Sequence, residues 1–248
     1  MILRQPGKAI EVASDVLKTT ALSSLVAGQH VLPAEAEQTY RQELALFAKM
    51  LHQRHYVSGC DGNLSVRLDG QRVLTTPTRM SKALLKPEDM VIVDLEGRSL
   101  EGVLAPSSEI GMHLTIYQAR ADVSGIVHAH PIVATGFACA GMDLSEPVCS
   151  ELVLTLGRIP LAPFAQPGTP ALSQCLRPFI KDHNAILMQG HGVVAYGETL
   201  SQAYLNMETV EHSAAIAMVM KLLGAKTTLN LEQVNGLVEL RKKSRNRS

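Results

Sequence analysis

The Asp69-Gly70 pair limits this chain's possible folds more than any other feature. It separates two β-patterned runs, Asn63-Leu64-Ser65-Val66-Arg67-Leu68 and Val73-Leu74-Thr75, and an Asp-Gly pair in that setting marks a tight hairpin. Hairpin strands run antiparallel, so a purely parallel sheet is excluded. Around the hairpin, strand and helix patterns alternate. A helix is expected over residues 33–56, where Leu44, Phe47, Ala48 and Leu51 recur at helical spacing. Residues 81–85 suit one helical turn. Met90-Val91-Ile92-Val93-Asp94 reads as a buried strand, turned by Leu95-Glu96-Gly97. Pro106-Ser107-Ser108-Glu109 opens the next helix with a serine N-cap, and Ile110, Leu114 and Tyr117 mark its buried stripe. Later come a helix over residues 170–181, strands at Ala185-Ile186-Leu187-Met188 and Val193-Val194-Ala195-Tyr196, and a long helix over residues 199–223. The expected class is α/β, a three-layer α/β/α sandwich around a central mixed, largely antiparallel sheet. Residues 1–36 read as an N-terminal extension, a flexible lead or a short amphipathic helix at its start. Residues 37–248 read as one domain ending in a short basic tail from Arg241, expected to be solvated.

Composition narrows the function classes. The 248 residues carry a formal net charge of +0, so no overall field favours nucleic acid or a membrane surface. Aromatics are only 4%, with no Trp, which argues against stacking platforms for bases. Cys60, Cys139, Cys149 and Cys175 form no Cys-x-x-Cys and follow no secretory segment, so reduced thiols in a cytoplasmic protein are expected. No apolar stretch approaches a membrane span.

The chemistry-bearing residues are histidines. His128 and His130 end a strand-like run, Gly125-Ile126-Val127-His128-Ala129-His130, that Pro131 stops. Residues at i and i+2 leave a strand on one face, so the two imidazoles point into one space. A third, His191, lies in Gln189-Gly190-His191-Gly192, where the flanking glycines let other groups come close. Any one of these could be an isolated core or surface residue. Three together, with a fourth position open, suit a catalytic zinc. Glu109 at a helix start and His130 at the next strand's end can meet at one rim of the sheet. Glu109 could also merely complement the helix macrodipole, Ser107 merely cap, and Asn63 merely turn the chain. His113, four residues after Glu109, shares its helical face and suits a packing or ligand-supporting role better than a ligand role.

Five segments in order, Gly62-Asn63-Leu64-Ser65, Thr76-Pro77-Thr78, Ser107-Ser108-Glu109, His128-Ala129-His130 and Gln189-Gly190-His191-Gly192, resemble the class II aldolase/adducin family over roughly residues 38–225. The resemblance implies a divalent metal, usually Zn2+, on His128, His130 and His191, with Glu109 as the acid/base. It implies phosphate binding by Asn63, Thr78, Ser107 and Ser108. Neutral donors at a helix start can hold phosphate without a basic patch. The activity implied is a zinc-dependent aldolase that cleaves a small ketose 1-phosphate into dihydroxyacetone phosphate and an aldehyde through an enediolate. The family's epimerases carry Asp where this chain has Glu109. Its sugar-phosphate dehydratases and decarboxylases share the metal site, and its adducin-like scaffolds lack the histidines retained here. A cytoplasmic homotetramer with sites between subunits is also implied.

Two departures stand out. Arg79 follows Thr-Pro-Thr where the family's aldolases have Gly, and could grip phosphate or a substrate carboxylate. Residues 150–157 contain no Tyr where those aldolases place a proton donor to the aldehyde, and Glu151 falls nearest that place.

Overall fold

A computed structural model describes residues 33–225 and 228–245. The reading of the N-terminal lead falls outside the described residues. Helix α1 (Ala34–Gln53) comes first and buries Leu44, Phe47, Ala48 and Leu51, the stripe expected from their spacing. The hairpin follows as β1 (Asn63–Arg67) and β2 (Arg72–Thr75), then β3 (Val91–Asp94) and the short β4 (Ser99–Glu101). Next come α2 (Ile110–Ala119), β5 (Gly125–Ala129), α3 (Ile132–Cys139), α4 (Ser150–Thr155) and β6 (Leu161–Ala162). The chain continues through α5 (Pro170–Ile180), β7 (Ala185–Met188), β8 (Gly192–Gly197), α6 (Leu200–Leu222) and α7 (Leu231–Arg245).

The strands form one sheet in the order β4-β3-β2-β1-β5-β8-β7-β6. Every neighbouring pair is antiparallel except β6 with β7. This is the mixed, largely antiparallel sheet expected. Alternate strand residues enter two cores on its two faces. Leu64, Val66, Val127, Val193 and Ala195 pack with α1, α3, α4 and α6. Val73, Val91, Ile126, Val194 and Tyr196 pack with α2 and α5. Asn63 and Ser65 on β1, and His128 on β5, share the strand parity of the second group, so they face α2.

Several expectations are corrected. The helix after Pro106 starts at Ile110 with Glu109 at the N-cap position, and Ser107 caps from two residues away, its Oγ accepting the Glu109 N–H at 3.2 Å. Burial on α2 runs through every residue from Met112 to Tyr117 and is not confined to a stripe, because the helix is covered by the sheet on one side and by α5, in the same layer, on another. Residues 241–245 of the basic run belong to α7, which packs against α4, and Lys242 and Lys243 are exposed, in keeping with a solvated run. Between Pro131 and β6 stand two helices that were not expected, α3 and the six-residue α4, and α7 is a third.

Candidate metal centre and active site

The site is built where β5, the β7–β8 turn and the start of α2 meet. Asn63 lies directly across from His128 in the β1–β5 register, and His128 across from Val194 in the β5–β8 register. His128 is fully buried, and its Nδ1 is 2.8 Å from the Val193 carbonyl oxygen. A carbonyl only accepts, so Nδ1 carries a proton and Nε2 faces the cavity. His130 directs its Nε2 to within 3.1 Å of that same His128 Nε2. His191 comes from the tight β7–β8 turn, in which Gly190 takes φ +66°. Gly192 is needed for this convergence, because a Cβ there would stand 2.8 Å from the Ala129 carbonyl oxygen and collide with the His130 ring. The ligand atoms of His128, His130 and His191 all lie within 4.8 Å of one another.

Glu109 closes the cluster. Its Oε2 is 3.2 Å from His128 Nε2, and its Oε1 is 3.3 Å from His191 Nε2. The second contact lacks hydrogen-bond angles, leaving Oε1 buried without a hydrogen-bond partner. The Asn63 amide Nδ2 donates to Oε2 at 3.0 Å. Burial pushes the Glu109 carboxyl upward, but the charge and hydrogen bond of His128, the charge of His191 and the Asn63 amide outweigh it, leaving the carboxyl well below its ordinary range. Burial and the neighbouring positive charge of His128 push His130 and His191 down to about 4, so both are neutral near pH 7. Burial works to lower His128, yet Glu109 and the Val193 carbonyl outweigh it and raise it. Two Nε2 atoms 3.1 Å apart need a proton or a cation between them, and a buried carboxylate beside them favours positive charge. The donor set therefore fits a divalent metal bound through three imidazoles, with Glu109 at the open side.

The phosphate candidates occupy adjoining loops. Pro77 and Pro106 form a backbone bridge, and the Thr78 N–H donates to the Ala105 carbonyl at 3.0 Å, which sets Thr78 beside the Ser107-Ser108 segment. The Thr76 N–H donates to the Leu64 carbonyl at 3.0 Å and ties that loop to β1 next to Asn63. Ser107 is buried and Ser108 exposed. Arg79 is exposed, takes φ +58°, a region favoured by the glycine it stands in for, and makes no hydrogen bond or ion pair to another described residue. Glu151 is exposed in the first turn of α4, and no hydrogen bond or ion pair joins it to the histidines.

Two residues near the site escaped the sequence reading. Lys82 is 1% exposed, and its Nζ donates to the Cys60 and Met80 carbonyls, both at 2.9 Å. It thus straps the loop before β1 to the loop that carries Thr78. Asp61 approaches His130, Oδ2 to Nδ1 at 3.5 Å. A lysine within a short polar turn carries no sequence mark of burial. Asp61 beside Gly62 reads as an ordinary turn pair.

Residues 42–218 match the model of the Class II Aldolase and Adducin N-terminal domain. The 3-oxo-tetronate 4-phosphate decarboxylase of Escherichia coli (strain K12) is 34% identical over 191 residues, 75% of this chain and 90% of that protein. The L-fuculose phosphate aldolase of Methanococcus maripaludis is 32% identical over 181 residues, 73% of this chain and 97% of that protein. A solved L-fuculose 1-phosphate aldolase superposes with a TM-score of 0.76 at 31% identity, covering 87% of this chain and all of that one. The chain belongs to the class II aldolase and adducin family, as an enzyme of the lyase class.

Proposed function

We propose that the protein is a zinc-dependent aldolase that cleaves a small ketose 1-phosphate into dihydroxyacetone phosphate and an aldehyde through an enediolate. The observation that carries this reading is Glu109, set within 3.3 Å of two imidazole nitrogens that also face a cation site. A base and a Lewis-acid site in one cluster are what breaking a carbon–carbon bond beside a carbonyl needs. A divalent cation on His128, His130 and His191 supplies Lewis acidity toward the carbonyl and adjacent hydroxyl of the substrate. The chain's own groups do the rest. Thr78, Ser107, Ser108 and the second amide proton of Asn63 bind the phosphate as neutral donors, and Arg79 adds a charged one. In cleavage the Glu109 carboxylate takes up the proton released by the hydroxyl that becomes the aldehyde oxygen and delivers it to the carbon left with the electron pair, and in the reverse direction it removes that carbon-bound proton. Its low proton affinity keeps it ionised at neutral pH, the form required of a base. The same reading implies a homotetramer in the cytoplasm, with no nucleic-acid or membrane partner.

Decarboxylation is the second reading, and two observations favour it. Residues 150–157 hold no Tyr to serve an aldehyde oxygen, and Glu151 lies exposed on α4. The relative in Escherichia coli is named for a 3-oxo acid phosphate. Carbon dioxide leaving from such an acid needs no donor at an aldehyde, and the electron pair left behind makes the enediolate of dihydroxyacetone phosphate. Arg79, unpaired beside Thr78, suits the extra carboxylate. The test is to incubate zinc-loaded protein with a panel of ketose 1-phosphates and with 3-oxo-tetronate 4-phosphate, and to measure dihydroxyacetone phosphate, aldehyde and carbon dioxide. Dihydroxyacetone phosphate with equimolar aldehyde supports the aldolase. Its release with carbon dioxide from the oxo acid alone replaces the aldolase by the decarboxylase. Its release from neither overturns both.

A further inference from the structure

Behind Glu109 runs a buried polar chain in which every proton can be assigned. A carboxylate oxygen only accepts, so Asn63 must present Nδ2 to Glu109, at 3.0 Å, and turn Oδ1 away. Oδ1 meets His113 Nε2 at 2.6 Å. An amide oxygen also only accepts, so His113 carries its proton on Nε2. His113 is fully buried, and burial pushes it down to about 3, so it is neutral and Nδ1 holds a lone pair. That lone pair accepts from Ser65 Oγ at 2.7 Å, so Ser65 Oγ accepts in turn from the Tyr117 hydroxyl at 2.8 Å, whose other acceptor, the Ser124 carbonyl, is farther off at 3.5 Å. Ser65 and Tyr117 are at most 1% exposed.

The backbone explains the alignment. Asn63 and Ser65 stand two apart on one face of β1, and Glu109, His113 and Tyr117 stand four apart on one face of α2. Strand and helix thus interleave their polar groups, Tyr117 to Ser65 to His113 to Asn63 to Glu109. The guanidinium of Arg67, the next residue on the β1 face, lies 4.8 Å from the Tyr117 ring centre and closes the far end. Were the His113 proton on Nδ1 instead, the Asn63 amide would turn over and set its oxygen against the Glu109 carboxylate.

We infer that His113, with Ser65 and Tyr117 behind it, is a positioning residue that fixes the Asn63 amide and so holds the Glu109 carboxylate in its reactive orientation between His128 and His191. The inference rests on the reading of Glu109 as the acid/base. It makes the Asn63 amide an orienter of that base as well as a phosphate donor.

The test uses the zinc-loaded full chain and two readouts. The first is independent of turnover: the His113 ring nitrogens, followed by long-range proton–nitrogen NMR, should show the neutral tautomer protonated on Nε2. A proton on Nδ1, or a doubly protonated ring near pH 7, overturns the inference. The second is kinetic. His113→Leu should lower kcat about 10- to 100-fold, the usual cost of losing a supporting hydrogen bond behind a functional group. Bound zinc should stay within twofold of the native value, and KM should rise by less than kcat falls, because Thr78, Ser107 and Ser108 still hold the phosphate. His113→Gln, which can still donate to Asn63 Oδ1, should recover most of the loss, and Tyr117→Phe should show a smaller loss. In an Asn63→Ala background, His113→Leu should cost nothing further in kcat. Equal losses in His113→Leu and His113→Gln, or fully additive losses with Asn63→Ala, overturn the inference. A native protein with no lyase activity contradicts the proposed function instead, and leaves the tautomer result to decide the hydrogen-bond chain.

Discussion

His113 has the same side chain as the three metal-site histidines, but both its ring nitrogens are taken up by Asn63 and Ser65. The buried His113 ring binds a proton only near pH 3, whereas an unfolded histidine does so near 6.5. Between those values the unfolded chain binds more protons, so the His113 contribution to stability is whole above about pH 6.5 and is lost as pH falls toward 3. Urea unfolding of chelator-treated protein from pH 7 down to 4.5 should therefore show a shallower decline in His113→Gln than in the native chain, by at most about 1.4 kcal/mol per pH unit. Identical slopes would mean that His113 protonates freely in the fold. At the cluster itself, His128→Ala, His130→Ala or His191→Ala should each remove most of about one bound zinc per chain, read by elemental analysis. Full occupancy in a His128→Ala/His130→Ala double variant would refute the site. These histidines were legible in the sequence because two-residue spacing on a strand fixes a shared face, and because His191 stands between glycines. Lys82 and Asp61 were not legible, since each acts through a loop contact that local pattern does not encode.

At the scale of elements, β5 and β8 must approach closely for His130 and His191 to meet, and Gly192 permits it. Gly192→Ala should displace His130, abolish most zinc binding and destabilise the fold by about 1–3 kcal/mol through overpacking, although residue 192 binds no metal. Thermal unfolding and metal analysis of that variant check this, and a variant with native metal content would show that the approach is not tight. The hairpin, α1 and α5 were readable from apolar periods bounded by turn or Pro residues, and α2 and α6 from the Ser107 and Thr199 signals that precede long apolar runs. Helix α3 was not. Its sequence is rich in β-branched and small residues, and its N-terminus is held from afar by Glu211 on α6, whose carboxylate accepts the Val133 and Ala134 N–H groups at 3.0 and 2.8 Å. Helix α7 was likewise hidden, because its packing partner α4 lies far away in sequence. Long-range partners of this kind leave no local periodicity.

For the whole molecule, a chain of zero net charge exposes large apolar side chains, with Ile132 at 71%, Phe164 at 65% and Leu222 at 79%. The proposed homotetramer would cover part of this surface. Light scattering at micromolar concentration should give about four times the 26.8 kDa chain mass, and a value near 26.8 kDa would contradict the assembly. The central claim, that Glu109 moves a carbon-bound proton beside a zinc held by three histidines, applies to the aldolase and the decarboxylase alike. Its most direct test is the exchange of carbon-bound protons of dihydroxyacetone phosphate with deuterated water, catalysed by zinc-loaded protein with no aldehyde present. The native protein should catalyse the exchange. Glu109→Gln, which keeps the shape of the side chain but cannot take the proton, should lose about two to four decades of rate while retaining its zinc. No exchange by fully zinc-loaded native protein, or undiminished exchange by Glu109→Gln, would contradict the account.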